Sequence, residues 1–289
     1  MFWREWYSYR RFGGDYRRMN KVDLAYAFGL KPEKAIAYFK AKGFAFSWDW
    51  QEVWQEAHSR AFTVAKAMKL DILQDLRDAV QDALDNGTTF QEFNKDLEPK
   101  LKTKGWWGKQ EIVDRSTGEV TSVQLGSPYR LRTIFDQNIQ TAYNVGRYRS
   151  MIENVENRPY WQYVAVMDAR TRPAHAALND KVLKSDDPFW NSFYPPNGWR
   201  CRCRVSALDG GDLGERDLKV ESSAGKLSER DEIVSQKTGE MAPVTVYKGL
   251  DEFGKKVTVA PDVGFSYNPG KFDWQPDPKR YDPELRKLL

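Results

Sequence analysis

The sequence predicts an α+β protein, mainly helical, in which long amphipathic helices carry a β-hairpin and a small α+β module, with extended segments at both ends. Three observations predict it. Apolar residues recur at spacings of three and four over two long stretches, the signature of one buried helix face. A short aromatic and β-branched run begins at Tyr160, as a buried strand requires. Between that run and Leu208 the chain gathers its two cysteines and one of its two histidines among prolines, glycines and arginines.

At 289 residues the chain is long enough to bury a core without disulfide staples. Hydrophobic content of 40% and aromatic content of 14% support folding, while 30% charged residues and a mean hydropathy of -0.72 predict a wet surface. No apolar run reaches the ~18 residues of a membrane span, and no secretory leader is evident at the N-terminus. The expectation is a soluble protein made in the cytoplasm. A net charge of +4, from 45 basic and 41 acidic residues, does not by itself imply nucleic-acid binding, so any DNA contact must come from local clusters. Two cysteines spaced Cys-x-Cys form no disulfide framework and are expected to be reduced, either buried or metal-bound.

Residues 1–30 read as a basic aromatic arm, in which Trp3, Arg4, Trp6, Arg10 and Arg11 suit docking on a partner or covering the protein's own surface. Residues 31–158 read as a helical region. Pro32 opens a short helix ending before Gly43. A long helix is expected from about Trp50 to Leu84, through Val53, Ala57, Ala61, Val64, Met68, Ile72, Leu76 and Val80. Asn86-Gly87 stops it, and Thr89-x-x-Glu92 is a capping box for the next helix, to about Leu101. An inserted hairpin is expected at about 106–125, turning at Arg115-Ser-Thr-Gly118. Pro128 opens a second long helix reaching about Val155, with Arg130, Arg132, Arg147 and Arg149 on its polar face. Residues 159–209 form the α+β module: a strand from Tyr160, a short helix over Thr171–Leu178 and a strand over Arg202–Ala207. Residues 210–289, rich in Pro, Gly and Ser, read as a loosely structured extension in which Val244–Tyr247 and Lys256–Val259 can pair as strands.

The special residues admit two readings. On a strand, Cys201 and Cys203 face one side and Arg202 and Arg204 the other. With His175 and Asp168 the thiols have the ligand types of a structural Zn²⁺ site, although the spacing is not that of a Cys-x₂-Cys finger. The simpler alternative is two small core residues beside a hydrogen-bonded histidine. Asp168, Arg170, Arg172, Arg200, Arg202 and Arg204 suit a charge network built on the planar guanidinium fork. Phosphate contact with DNA, shared with Arg147 and Arg149, is the functional alternative. No Walker or dinucleotide glycine motif is present, and no orienting third group for a Cys/His hydrolase can be identified from spacing.

The segment Asp168-Ala-Arg170-Thr-Arg172-Pro173-Ala-His175, the run Pro195-Pro196-Asn197-Gly198-Trp199 and the Cys201-Arg202-Cys203-Arg204 tetrad together resemble the head-morphogenesis domain of Mu F-like phage minor head proteins. Asp71-Ile-Leu73, Gly87-Thr-Thr-Phe90, Gly105-Trp-Trp-Gly108, Thr141-Ala-Tyr-Asn-Val-Gly-Arg147 and Tyr160-Trp-Gln-Tyr163 extend the resemblance in the same order, over about residues 31–208. It implies a non-enzymatic minor capsid protein of a tailed phage or prophage, acting in head morphogenesis. The implied partners are the portal protein, a major capsid or scaffold protein, and packaged double-stranded DNA. The implied location is the virion head near the portal, after assembly in the host cytoplasm. The rival expectation is a zinc-dependent or thiol hydrolase, such as a nuclease or injected effector.

Overall fold

The computed structural model describes residues 32–53, 55, 57–113, 120–236, 238–251 and 253–271, all within the second of two units, Pro32–Leu289. The N-terminal arm, with Trp3, Arg4, Trp6, Arg10 and Arg11, and the hairpin tip at Arg115 to Gly118 lie outside the described residues.

The first helix, α1 (Glu33–Lys40), buries Ala35, Ile36, Tyr38 and Phe39. It leads to β1 (Gly43–Phe44), and after a short 3-10 turn come α2 (Ala57–Arg60) and β2 (Ala61–Phe62). The long helix expected from Trp50 to Leu84 is therefore corrected. Its first half is interrupted because β2 pairs in parallel with β1, and Lys66 adopts a left-handed φ of 65° while its N–H bonds Ser47 O at 2.9 Å. Tertiary pairing satisfies the backbone there, and of the expected helix one turn remains in α2 while α3 (Leu70–Asn86) keeps the continuous pattern.

Gly87, at φ 69°, caps α3 where a side chain would be strained. The reciprocal bonds between Thr89 and Glu92 open α4 (Phe90–Thr103). Strands β3 (Lys109–Val113) and β4 (Val120–Gln124) form the antiparallel hairpin. Helix α5 (Pro128–Glu153) starts from the Ser127 cap with Pro at its first turn and packs against α1, α3 and α4. Arg130 closes this body: its guanidinium donates to Leu125 O and Ala65 O, each at 2.6 Å, and lies 4.9 Å from the Trp106 ring centre.

The second half holds β5 (Tyr160–Val164), α6 (Pro173–Ala176), β6 (Val182–Lys184), α7 (Phe189–Ser192), β7 (Arg204–Leu208), α8 (Gly210–Glu215) and β8 (Val220–Glu221). Its sheet runs β7-β5-β6-β8, antiparallel except for the β6–β8 pair. Three further strands, β9 (Leu227–Ser235), β10 (Glu240–Leu250) and β11 (Lys256–Val259), make an antiparallel sheet.

The expectation of a mainly helical protein is thus overturned: eleven strands accompany eight α-helices among the described residues, and the fold is mixed α+β. Much of the added β-structure lies where a loose extension was expected. Tyr247 of β10 explains why that region orders. It is buried against Phe189 and Phe193, at ring separations of 5.3 and 6.1 Å, so the sheet is tied to the module's aromatic core. Two hydrophobic clusters result, one among α1, α3, α4 and α5, the other around Trp161, Tyr163, Trp190 and Tyr194.

Candidate functional site: the histidine and cysteine cluster

Three short pieces of chain converge beside β5. Strand β5 supplies Tyr163, fully buried. Helix α6 supplies His175: Pro173 sets its first turn, where the missing N–H costs nothing. The segment before β7 supplies the cysteines. Cys201 and Cys203 precede the strand rather than lying on it, yet the extended alternation persists, with both cysteines and Val205 buried while Arg204 is exposed.

The His175 Nδ1 atom stands 3.6 Å from the Cys201 sulfur and 3.6 Å from the Cys203 sulfur. His175, Cys201 and Cys203 are all buried, and both cysteines are free thiols. Interaction with Cys203 and then with the neighbouring His175 holds the Cys201 thiol well below its usual range, while interaction with Cys201 pushes the Cys203 thiol up. Tyr163 donates its hydroxyl to Asn197 Oδ1 at 2.9 Å, and Asn144 of α5 donates to Cys203 O at 3.3 Å. The cluster is therefore fastened to the helical body as well as to its own sheet.

Asp168 does not join the cluster. Both its oxygens accept from Arg202, at 2.7 and 2.6 Å, and Arg202 followed by the Arg170 N–H hold its carboxyl below the usual carboxylate range. Arg170 reaches the same carboxylate at 3.5 Å. Arg172 pairs with Asp262 at 3.4 Å and donates to Trp199 O at 2.8 Å. Arg200, at a left-handed φ of 57°, pairs with Asp136 of α5 at 3.2 Å. These four arginines form a network with three aspartates around a small recess of about 20 Å³ that also borders His175, Cys201 and Cys203. Gly198 lies beneath it, and a Cβ there would meet Asp262 Oδ2 at 2.2 Å, so a larger residue would have to displace the Asp262 carboxylate.

Arg147 and Arg204 stand apart from that network. Both are exposed, and they are close enough for Arg204 to lower the Arg147 pKa after desolvation has done so. Arg149 turns the other way and donates to Lys34 O at 3.3 Å. Tyr163, Asn197, Asn144, Asp136 and Asp262 are site residues that spacing did not single out. The Pro-Pro-Asn-Gly-Trp run could have drawn attention to Asn197, whereas Asp262 carries no local signal.

A larger groove of about 530 Å³ lies between the helical body and the segment at Gly264 to Tyr267, lined by Lys42, His58, Tyr129, Trp199 and Phe265 among others.

The fold and site define a mixed α+β protein in which an ion-paired module is fastened to a helical body, and comparison with known proteins supplies the family. Residues 74–206 match the family described as Phage Mu protein F like protein, and the chain belongs to that family. It is 48% identical over 254 residues to the putative capsid assembly protein F of Escherichia phage Mu, covering 86% of this chain and 56% of that protein. It is 46% identical over 226 residues to the Mu-like prophage FluMu F protein of Haemophilus influenzae, covering 78% and 53% respectively. The chain thus spans about half the length of these curated relatives. No solved structure matches.

Proposed function

We propose that this chain is a minor head protein that acts in capsid assembly by binding the portal, without catalysing a reaction. The observation that carries the reading is the extent of likeness to a protein named for capsid assembly, 254 residues that cover 86% of this chain. Likeness of that extent takes in both the helical body and the module. The physical character of the molecule supports it. Each arginine around the cysteine cluster is held by an aspartate, Arg170 and Arg202 by Asp168, Arg172 by Asp262 and Arg200 by Asp136, as expected of a scaffold that must hold its shape. No described helix is long and apolar enough to cross a membrane. Work in the host cytoplasm followed by residence in the virion head near the portal fits this role, with a major capsid or scaffold protein as a further partner.

Contact with packaged DNA is the second reading, and Arg147 and Arg204 favour it. Both are exposed, and neither takes part in an ion pair found among the described residues. Such a contact would be non-specific and would weaken steeply with salt.

The test is co-purification of the full chain with a portal protein from the same phage or prophage, with and without residues 1–20. A stable complex free of nuclease activity is the expected result. Failure to bind the portal, combined with metal-dependent cleavage of nucleic acid, would replace this reading with that of a hydrolase. Arg147→Ala combined with Arg204→Ala should reduce DNA retention at low salt if the second reading holds.

A further inference from the structure

We propose that His175 Nδ1 and the sulfurs of Cys201 and Cys203 bind one Zn²⁺ ion, with a solvent molecule from the adjoining recess completing a tetrahedron. The geometry carries the proposal. A tetrahedral ion with Zn–S near 2.3 Å and Zn–N near 2.0 Å requires each S···N edge to be about 3.5 to 3.6 Å. Both sulfurs stand 3.6 Å from the one nitrogen. A single S–H···N hydrogen bond needs only one sulfur close to the ring. Two sulfurs at equal distance place the nitrogen as one vertex and the pair as two more. All three ligand atoms lie within 4.8 Å of one another, so one ion can touch them together.

The surroundings suit a metal thiolate. Asn144 donates to the Cys203 carbonyl at 3.3 Å and Tyr163 holds Asn197 at 2.9 Å, outer contacts that fix the segment carrying the thiols. The fourth vertex has room, and no fourth ligand joins the three among the described residues. Asp168, the carboxylate that the sequence offered as a ligand, is held by both nitrogens of the Arg202 fork. The recess of about 20 Å³ beside the cluster exceeds the ~10–15 Å³ that one water needs. An ion here joins α6 to the segment before β7, cross-linking residues 26 and 28 positions apart in sequence. This inference stands independently of the portal-binding role.

The test uses the full chain, freed of any affinity tag and purified from zinc-supplemented medium without chelator. Elemental analysis should find about one zinc per chain. Cys203→Ser and His175→Ala should lose it, whereas Asp168→Asn should keep it. Because those losses could also arise from misfolding, the unsubstituted chain is stripped and titrated with Co²⁺. An intense thiolate-to-cobalt charge-transfer band, saturating at one equivalent, is expected, and azide should shift the visible bands by entering the solvent position. Absence of zinc together with cobalt uptake lacking a thiolate band would overturn the site. A thiolate band indifferent to azide would overturn the solvent-held vertex.

Discussion

Gly146→Ala isolates the closest helix contact in the body. Gly146 lies in the middle of α5 and faces α1, where an added Cβ would sit 2.9 Å from Ala35 N and 3.3 Å from both Ala35 Cα and Cβ. Two effects oppose each other. Alanine in a helix interior is favoured over glycine by about 1 kcal/mol. Overpacking a filled contact costs about 1 to 3 kcal/mol. Here the obstacle is backbone, so no rotamer change relieves it, and α1 must withdraw by several tenths of an ångström from a core that holds Ile36, Tyr38 and Phe39. The steric effect should win by about 1 kcal/mol, lowering Tm by roughly 2 to 4 °C for a chain of this size. Thermal unfolding followed by circular dichroism measures it. Gly214→Ala is the matched control: it is also helical, with nothing within 4 Å of the added Cβ, and should be neutral or stabilising. If Gly146→Ala melted at or above the parent temperature, the claim that glycine is there for close approach would be wrong.

Tyr163→Phe removes a buried donor from Asn197 Oδ1 and should cost about 1 to 2 kcal/mol, read as a lower urea midpoint. Thr89→Ala removes the α4 cap and should cost about 1 kcal/mol, with amide exchange rising first around residues 90–93. Burial, with Arg77 adding repulsion, pushes the Lys42 ammonium down to about 7. Because the unfolded lysine titrates near its ordinary value of 10.5, the unfolded chain holds more protons between about pH 7 and 10, and stability attributable to Lys42 should rise with pH there. Urea midpoints at pH 7 and 9.5 should therefore diverge more for the parent than for Lys42→Met, and equal divergence would discount the burial argument.

Patterns confined to neighbouring residues were well legible. The Asn86-Gly87 stop, the Thr89 and Glu92 capping box, the hairpin flanks and the strand from Tyr160 all depend on interactions within a few residues, and the structure contains them. The region from Trp50 to Lys69 was misread because its apolar residues keep helical spacing for a different reason. Ala61 and Phe62 instead pair in parallel with Gly43–Phe44 and Met68 is exposed, an arrangement that no local pattern announces. Strand β9 was missed because Ser228 to Glu232 is strongly polar, and only β10, paired along its length, makes a strand of it.

By itself, the sequence determined the residue types available for the cluster and the local caps and turns, since a side chain's chemistry and its reach along the chain are written in order. Only the tertiary structure decided that Asp168 is matched to Arg202 instead of facing the thiols, and that His175 sits equally far from both sulfurs. It also decided that Asp262, far along the chain, fastens the Arg172 corner. The physical reason is that pairing of charges and convergence of ligands depend on distances in space. Packing of the aromatic core around Trp161, Trp190 and Tyr247 sets those distances.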